Sequence, residues 1–509
     1  MKIAIDERGE YIKISLRMLN RHGVICGTTG SGKTVTLKYL TEKLSELGVP
    51  TLVSDIKGDL SGFITPGYAD EKLRTHCTEI GVPLPKPKSY PVHLYDVYGN
   101  EGQKLTTSIS NFGPTLLANV LELNENQEDL LSIIFHIADD YRFPFLTLND
   151  LRKTLKYCYE NNKELSSEYG AINKLTVGAI QRKVFNLKIS GGEYFFTGSE
   201  FNYLDLFKFN EKGGVINLLD CSELIKNEKL YSCVLIWLLS ELYEGLEEIG
   251  DLDRPAIVLF FDESHLIFSN ASKSLLKKIE QMVRLSRSKG IGVIFCTQAP
   301  TDLPDEVLGQ LGLRIQHALR AFTQKAFSQV RLISKTMRNN PELRIVEEVQ
   351  NLAVGEALIS SLDKRGVPTK TKKAFILPPS SKIGVANMDD YQLLRNLALK
   401  KNDRELVSEE EYSFSENNNT KEYTEYEVAS VTETNGSAWL DTTFNAQASR
   451  PFQQNSFFSR LTGFVFNGTI EILYLLLKIF FFFLLVGAAI HIFPPALFFI
   501  VYYYFFRRK

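Results

Sequence analysis

Residues 27–34 read Gly-Thr-Thr-Gly-Ser-Gly-Lys-Thr and match the pattern G-x-x-x-x-G-K-[ST] throughout. In such a loop the glycines let backbone N–H groups point at phosphate oxygens, and the helix that follows adds the positive end of its dipole. Lys33 would reach the β- and γ-phosphates, and Thr34 would bind Mg²⁺. The motif predicts a site for ATP with Mg²⁺, formed by Gly27, Thr28, Thr29, Gly30, Ser31, Gly32, Lys33 and Thr34.

A second pair of reactive side chains, Asp262 and Glu263, follows the apolar run 257–261. An acidic pair at the end of a buried strand suits nucleotide hydrolysis: Asp262 would hold Mg²⁺ through water, and Glu263 would polarise the attacking water. The alternative is that the two carboxylates only keep the strand end soluble. Together with the phosphate loop, the pair favours an ATPase.

Strands and helices alternate along the chain, which is typical of α/β proteins with a mostly parallel sheet and helices on both faces. Short apolar runs between turn residues predict buried strands, and one of them precedes the phosphate loop. The predicted strands cover residues 22–26, 51–55, 92–97, 214–219, 257–261, 292–298 and 314–320. We therefore expect an α/β P-loop domain over residues 20–385.

Two hairpins and a helical block complete this domain organisation. Residues 1–19 predict an N-terminal β-hairpin, and residues 357–377 predict a late hairpin with a basic turn. Between about residues 114 and 188 the pattern changes to helices, and Asn124 with Gln127 three residues later resembles a capping box. This block is predicted to be a helical insertion into the order of the sheet.

The composition carries no strong electrostatic sign of a nucleic-acid partner, since the formal net charge of the 509 residues is only -2. If DNA binds, local basic loops must bind it. One set of basic residues lies in the late hairpin and either contacts a polymer backbone or is simply solvated: Lys364, Arg365, Lys370, Lys372 and Lys373. The six scattered cysteines indicate reduced thiols in a cytosolic protein.

Five segments taken together support a named resemblance: the phosphate loop and residues 55–62, 260–265, 297–298 and 309–320. Over roughly residues 20–379 the chain resembles the HerA-like helicase family, in the HerA/FtsK branch of additional-strand ATPases, and especially its uncharacterised bacterial C-terminal-domain group. The resemblance implies a RecA-like core and a ring of six identical subunits with ATP at their interfaces. It also implies translocation along duplex DNA or a related polymer.

Further site residues come partly from this resemblance. Asp59 occupies the place of an acidic residue that lies near the γ-phosphate in HerA proteins, although it could instead stabilise a turn. Gln298 ends the strand where a phosphate sensor belongs. A ring ATPase also takes an arginine from the neighbouring subunit. Arg284, Arg287, Arg314 and Arg320 are candidates for it, with Arg287 and Arg314 first, and surface salt bridges are the alternative.

The two ends of the chain depart from the HerA pattern. About 19 residues precede Arg21, too few for the β-barrel that can dock a nuclease in HerA motors, which argues against a nuclease partner. Residues 386–459 predict a short helical piece followed by an acidic, disordered linker. Residues 460–509 predict a transmembrane segment, because the stretch 469–506 is almost wholly apolar and exceeds the 20 or so residues that one span needs.

The terminal Arg507, Arg508 and Lys509 favour a cytoplasmic carboxyl terminus, so the tail is either a hairpin or one span. The predicted location is the inner membrane, with the ATPase domain in the cytoplasm. We therefore expect a membrane-tethered ring ATPase that moves DNA. Two alternatives stay open: a secretion or membrane-remodelling ATPase that acts on protein, and an antiviral effector that senses nucleic acid.

Overall fold

Apolar runs of four to seven residues form the centre of a twelve-stranded sheet in the computed structural model, which describes residues 1–199, 201–250, 252–269, 271, 273–321 and 323–400. The strands of the described residues are β1 (Lys2–Asp6), β2 (Tyr11–Lys13), β3 (Gly23–Cys26), β4 (Thr51–Asp55), β5 (Val92–Asp96), β6 (Gln103–Lys104), β7 (Phe209–Asn210), β8 (Gly213–Gly214), β9 (Ile216–Asp220), β10 (Ile257–Phe261), β11 (Ile291–Thr297), β12 (Leu313–Gln316), β13 (Glu356–Ser360) and β14 (Lys372–Ile376).

Helices connect most of these strands. They are α1 (Lys33–Glu46), α2 (Glu71–Glu79), α3 (Ile109–Phe112), α4 (Pro114–Val120), α5 (Glu125–Asp140), α6 (Leu148–Glu160), α7 (Asn162–Tyr169), α8 (Lys174–Ile189), α9 (Glu228–Gly245), α10 (His265–Ser269), α11 (Lys273–Ser286), α12 (Asp305–Leu308), α13 (Gln324–Thr336) and α14 (Ile345–Asn351). A further helix covers residues 388–400.

The strand order of the large sheet is β2-β1-β14-β13-β12-β3-β11-β10-β4-β9-β5-β6. The strands from β12 to β6 are parallel to their neighbours, whereas β13, β14, β1 and β2 continue the sheet in antiparallel pairs. Every residue of β3, β4, β10 and β11 is buried, as expected for parallel strands covered on both faces. The predicted α/β fold with a mostly parallel sheet is confirmed.

Strand β11 lies between β3 and β10, which precede the phosphate loop and Asp262 respectively. Such an extra strand between the two nucleotide elements is what the resemblance implies. Because parallel strands share the direction of their carboxyl ends, the phosphate loop, Asp262 and Gln298 emerge at one edge of the sheet.

The amino-terminal hairpin is built into this sheet. Strand β1 pairs with β2 on one side and with β14 on the other, where Ala4 is opposite Ile376. After β14, residues 380–391 fold back over the loop that follows β4. The backbone N–H of Gly62 donates to the carbonyl of Gly384 at 3.1 Å, and Thr65 Oγ1 donates to Asp390 Oδ2 at 2.7 Å.

Six helices, α3 to α8, lie between β6 and β7 in the chain, where the sequence predicts a helical insertion. The prediction of a helix start at Asn124 is confirmed. The Asn124 side chain accepts a hydrogen bond from Gln127 N, and the Gln127 side chain accepts one from Asn124 N. This reciprocal capping box begins α5, whose buried face includes Leu131 and Ile134.

The predicted helical piece near residue 389 falls within the helix 388–400. Within the described part of the chain, no helix combines the length and apolar character that crossing a membrane requires. The predicted acidic linker from residue 402 and the predicted transmembrane segment 460–509 lie outside the described residues.

Candidate active site

The first six residues of the phosphate loop lie between β3 and α1, and backbone hydrogen bonds fix them to neighbouring elements. Gly27 N donates to the carbonyl of Gln298 at 3.1 Å, and Thr28 N donates to that of Ala318 at 3.0 Å. Gly27 has a φ of +154°, and a Cβ added there would lie 2.6 Å from Cβ of His317. Position 27 therefore requires glycine, because the His317 side chain packs directly against the backbone there.

Lys33 is the first residue of α1, and its Nζ donates to the carbonyl of Gly27 at 2.5 Å, across the mouth of the loop. The N-cap of this 14-residue helix is Gly32, which brings no side-chain acceptor to the first N–H groups of the helix. These N–H groups, the helix dipole and the ammonium all favour an anion at the same place. The loop therefore fits the phosphates of a nucleotide.

Asp262 and Glu263 follow β10 at the same edge of the sheet. Burial raises the pKa of Asp262 to about 6, and the charge of Glu263 adds to this shift. Asp262 N donates to Ser54 Oγ at 2.9 Å, and the Asp262 carbonyl accepts the hydroxyl of Tyr231 at 2.7 Å. These two contacts with β4 and α9 fix the backbone at the point where the acidic pair leaves the strand.

Glu263 is strained and incompletely satisfied. Its φ is +42°, in the left-handed region that L-residues rarely adopt. Its Oε2 is buried without a hydrogen-bond partner among the described residues and lies 3.4 Å from Nδ1 of His265. Its Oε1 lies 3.9 Å from Nζ of Lys57. Backbone strain together with a buried, unpaired carboxylate oxygen is typical of a functional side chain.

The residues at this edge also fit Mg²⁺. Thr34 and Asp262 supply the hydroxyl and carboxylate oxygens that the ion prefers. No group of three or more His, Cys, Asp or Glu side chains in the described residues could hold a metal by itself. This agrees with an ion that completes its shell with phosphate oxygens and water. When bound, Mg²⁺ would neutralise charge on the phosphates.

The loop that carries Asp59 is held by Asp55, the last residue of β4. Its two carboxylate oxygens accept hydrogen bonds from Gly58 N at 2.8 Å and Leu60 N at 2.9 Å. Burial raises the pKa of Asp55 to about 7, and the charge of Asp59 contributes. The turn-stabilising role considered for Asp59 is thus performed by Asp55. Gln298 is exposed at the end of β11, and its carbonyl contacts the phosphate loop.

Arg314 is engaged within its own subunit. Its guanidinium donates to the carbonyls of Leu308 at 3.0 Å, Leu311 at 3.4 Å and Thr336 at 2.7 Å. These bonds satisfy carbonyls at and near the ends of α12 and α13, so the guanidinium ties these helices to β12. Arg314 thus has a structural role within its own subunit, and its proposed role at a neighbour's site stays a prediction.

Arg287 follows α11 and precedes β11, which places it at the amino-terminal edge of the parallel strands. Its charge acts on His22, the residue just before β3, at the opposite edge from the phosphate loop. Arg287 therefore cannot serve the site of its own subunit and stays a prediction for a neighbour's site. Arg284 and Arg320 are exposed.

Most of the basic residues in the late hairpin have acidic partners. Lys372 Nζ lies 3.4 Å from Asp6 Oδ2, and Lys373 Nζ lies 3.2 Å from Glu348 Oε2. Arg365 pairs with Asp363 beside it in the turn. These pairs favour the solvated-hairpin interpretation for three of the five residues; Lys364 and Lys370 are exposed.

Sequence reasoning gave no site role to Lys57, Tyr231 or His317. His317 lies in a segment that carried the family resemblance, and a histidine at the end of an apolar strand was the only signal for it. Its ring is wholly buried, and burial lowers its pKa to about 4. Tyr231 lies in the apolar helix α9, where nothing in the sequence distinguishes it from a core residue.

The family model for the helicase HerA-like C-terminal family matches residues 1–442. The chain belongs to this family. This HerA-like chain is 24% identical over 371 residues to the DNA double-strand break repair helicase HerA of Sulfolobus acidocaldarius. The matched region covers 68% of this chain and 64% of that protein. It is also 24% identical over 355 residues to a probable helicase of Methanocaldococcus jannaschii, covering 67% of this chain and 60% of that protein.

The match thus spans somewhat less than two thirds of the length of these relatives. Among solved structures, VirB4 of Thermoanaerobacter pseudethanolicus aligns with the HerA-like chain at a TM-score of 0.49 and 16% identity. That alignment covers 74% of this chain and 96% of VirB4.

Proposed function

We propose that this HerA-like chain hydrolyses ATP and uses the energy to translocate duplex DNA as a homo-hexamer. The observation that carries the proposal is the convergence of Lys33, Asp262 and Glu263 at one edge of the sheet, with Gln298 beside the phosphate loop. The helicase names of the relatives support DNA as the substrate.

Each residue has a distinct task in this proposal. The phosphate loop and Lys33 bind the phosphates, and Thr34 and Asp262 provide oxygen ligands for Mg²⁺. Glu263 orients the attacking water and accepts its proton, a role that its unpaired Oε2 supports. Gln298 and Asp59 act at the γ-phosphate. Since the protein forms no covalent bond to the nucleotide, it accelerates hydrolysis by positioning the water and the phosphates and by stabilising their negative charge.

The ring is proposed from the family resemblance and from the placement of Arg287. A residue at the opposite edge of the sheet from its own phosphate loop can act only on the nucleotide of another subunit. Arg287 would there stabilise the charge of the transferring phosphoryl group. A closed ring of identical subunits provides such an interface for every site.

We further propose that residues 460–509 anchor the ring in the inner membrane with the ATPase domain in the cytoplasm. The support is the sequence alone: the apolar stretch 469–506 and the basic terminal residues Arg507, Arg508 and Lys509. A membrane location also suits the alternatives of a motor that acts on protein and of an antiviral effector. The near-neutral net charge and the pairing of Lys372 and Lys373 with carboxylates are the observations that support a protein substrate as the second candidate.

The decisive experiment measures the ATPase rate of the full-length protein with and without duplex DNA, at several salt concentrations. A DNA translocase should be stimulated by DNA, and the stimulation should fall steeply with salt as counterion release predicts. Glu263→Gln should remove both the basal and the stimulated rate. A wild-type ATPase that ignores DNA at low salt would favour a protein substrate instead.

A further inference from the structure

Lys57 lies in the loop after β4, and this loop is held firmly on both sides. Asp55 binds Gly58 N and Leu60 N, which fixes the turn directly after Lys57. Behind the turn, a Cβ on Gly62 would meet the carbonyls of Lys382 and Gly384 at 2.3 Å, so residues 380–391 pack directly on the loop. The backbone that carries Lys57 therefore has little freedom, and only its side chain can move far.

The ammonium of Lys57 faces the acidic pair after β10. Its Nζ lies 3.9 Å from Oε1 of Glu263, and its charge also lowers the pKa of the neighbouring Asp262. Lys33 has the same effect on Asp262 from the phosphate-loop side. Two lysines from different elements thus flank the two carboxylates at the place where the phosphates of a nucleotide would lie.

The pair between Lys57 and Glu263 is loose. The Lys57 side chain is 48% exposed and that of Glu263 is 16% exposed, and 3.9 Å is too long for a hydrogen bond. Since Lys57 is about half exposed and no hydrogen bond joins the two groups, water and salt screen the pair and it contributes little free energy. A triphosphate carries several negative charges, so it would compete well with one carboxylate for a lysine on a long, flexible stem.

We propose that Lys57 is a positioning residue that pairs with Glu263 in the arrangement seen here and moves to the γ-phosphate when ATP binds. This inference rests on the proposed ATPase function. The exchange releases the Glu263 side chain from the lysine, so that its carboxylate can turn the unpaired Oε2 to the attacking water only when a γ-phosphate is present. Glu263 can then position the attacking water when ATP is bound but not when ADP is bound. No covalent bond is made or broken in the protein.

A double-mutant cycle on nucleotide binding tests the exchange. The variants are wild type, Lys57→Met, Glu263→Gln and the double variant, and the measurement is the dissociation constant for a fluorescent ATP analogue and for its ADP counterpart. Glu263→Gln removes the partner that ATP must displace. Glu263→Gln should therefore lower the dissociation constant for the ATP analogue in the Lys57 background, and this effect should be about two- to fivefold larger than in the Lys57→Met background. For the ADP counterpart, Glu263→Gln should have the same effect in both backgrounds.

Two controls separate positioning from general damage. Lys57→Arg keeps the charge and should retain the ATP-over-ADP preference, whereas Lys57→Met should weaken ATP binding and leave ADP binding unchanged. Lys86→Met removes another exposed lysine and should change neither affinity. Equal tightening by Glu263→Gln in both Lys57 backgrounds would overturn the exchange.

A reference variant distinguishes an error in the role of Lys57 from an error in the proposed ATP site. Lys33→Ala serves as the reference, since it removes a phosphate contact that the proposed function requires. If Lys33→Ala weakens ATP binding while the cycle shows no coupling, the ATP site is real and only the role of Lys57 is wrong. If Lys33→Ala leaves ATP binding unchanged, the proposed site itself is wrong.

Discussion

Nε2 of His317 lies 2.7 Å from Oγ1 of Thr36, and both side chains are fully buried beneath the phosphate loop. Nδ1 of the same ring faces the carbonyl of Glu356 at 2.7 Å. Since a carbonyl only accepts, Nδ1 carries the hydrogen and Nε2 accepts the hydroxyl of Thr36. The neutral imidazole thus joins α1 to β13, and the geometry of the loop depends on a residue outside its motif.

His317→Asn is expected to lower the free energy of unfolding at pH 7 by about 1–3 kcal/mol, because Asn can still donate to the Glu356 carbonyl but leaves the Thr36 hydroxyl only the longer contact of 3.2 Å with the Gly32 carbonyl. Gln298 is exposed at the end of β11, and Gln298→Asn is a control that should not change stability. Chemical denaturation at constant pH measures both. Unchanged stability of His317→Asn would show that the ring does not support the loop.

The same histidine predicts a pH dependence. Burial lowers its pKa from 6.5 to about 4, so in the unfolded chain it takes up a proton at a higher pH than in the folded protein. Its contribution to stability is therefore complete above about pH 6.5 and is lost as the pH falls towards 4. His22, with the same shift, acts in the same direction. The difference in free energy of unfolding between wild type and His317→Asn should become smaller as the pH falls from about 6.5 to 4. A difference that stays constant over this range would contradict the prediction.

Gly27→Ala should abolish ATP binding, because the new Cβ would lie 2.6 Å from both Cβ of His317 and Oγ of Ser31, and the φ of +154° disfavours a side chain. Gly178→Ala in α8 is the matched control. It has open space around it and no positive φ, so it should bind ATP normally and gain up to about 1 kcal/mol of stability. Nucleotide titration and thermal melting distinguish the two; normal binding by Gly27→Ala would contradict the tight packing.

Lys33→Ala and Glu263→Gln should separate binding from turnover. Lys33→Ala removes a phosphate contact and should abolish tight ATP binding. Glu263→Gln keeps the phosphate loop intact but loses the group that positions water, so the turnover number should fall by ~10² or more with ATP still bound. Nucleotide binding and steady-state ATPase rates provide the test. Near-normal turnover by Glu263→Gln would remove it from the catalytic role.

The sequence predicted the parts of the fold that depend on local signals. The strand at residues 51–55 has the predicted bounds because its apolar residues are buried on both faces, and the capping box of Asn124 and Gln127 marks a helix start by itself. The strand predicted to reach Arg320 ends at Gln316, because His317 leaves the sheet to pack under the phosphate loop.

The remaining features depend on contacts between distant parts of the chain. Tyr231 meets Asp262 across 31 residues, and Thr36 meets His317 across 281, so no local pattern reveals these pairs. The contacts of Arg314 are likewise hidden from the sequence, because the carbonyls that bind its guanidinium lie at the ends of α12 and α13 and are brought to it only by folding.

Arg287→Ala should bind ATP in its own subunit and lose turnover, since the proposed role is at the neighbour's site. Mixing it with Glu263→Gln subunits should restore part of the activity, because some interfaces then combine an intact Glu263 with an intact Arg287. Arg314→Met is the comparison: it should lower stability through the carbonyls it leaves unpaired, and mixing should not rescue it. ATPase rates of mixtures are the measurement. Absence of rescue for Arg287→Ala would remove it as the trans arginine.

The apolar stretch 469–506 predicts that the full-length protein sediments with membranes and stays there through high-salt and carbonate washes. At about 0.8 kcal/mol for each buried CH₂ group, even half of this stretch would contribute tens of kcal/mol, far more than a reversible surface contact. A chain that ends after Lys400 lacks this apolar stretch and should be soluble. Because it keeps every proposed site residue, its basal ATPase activity should be intact. A full-length protein that remains in the supernatant would exclude the membrane anchor, whereas loss of ATPase in the shortened chain would mean that the tail also supports the motor.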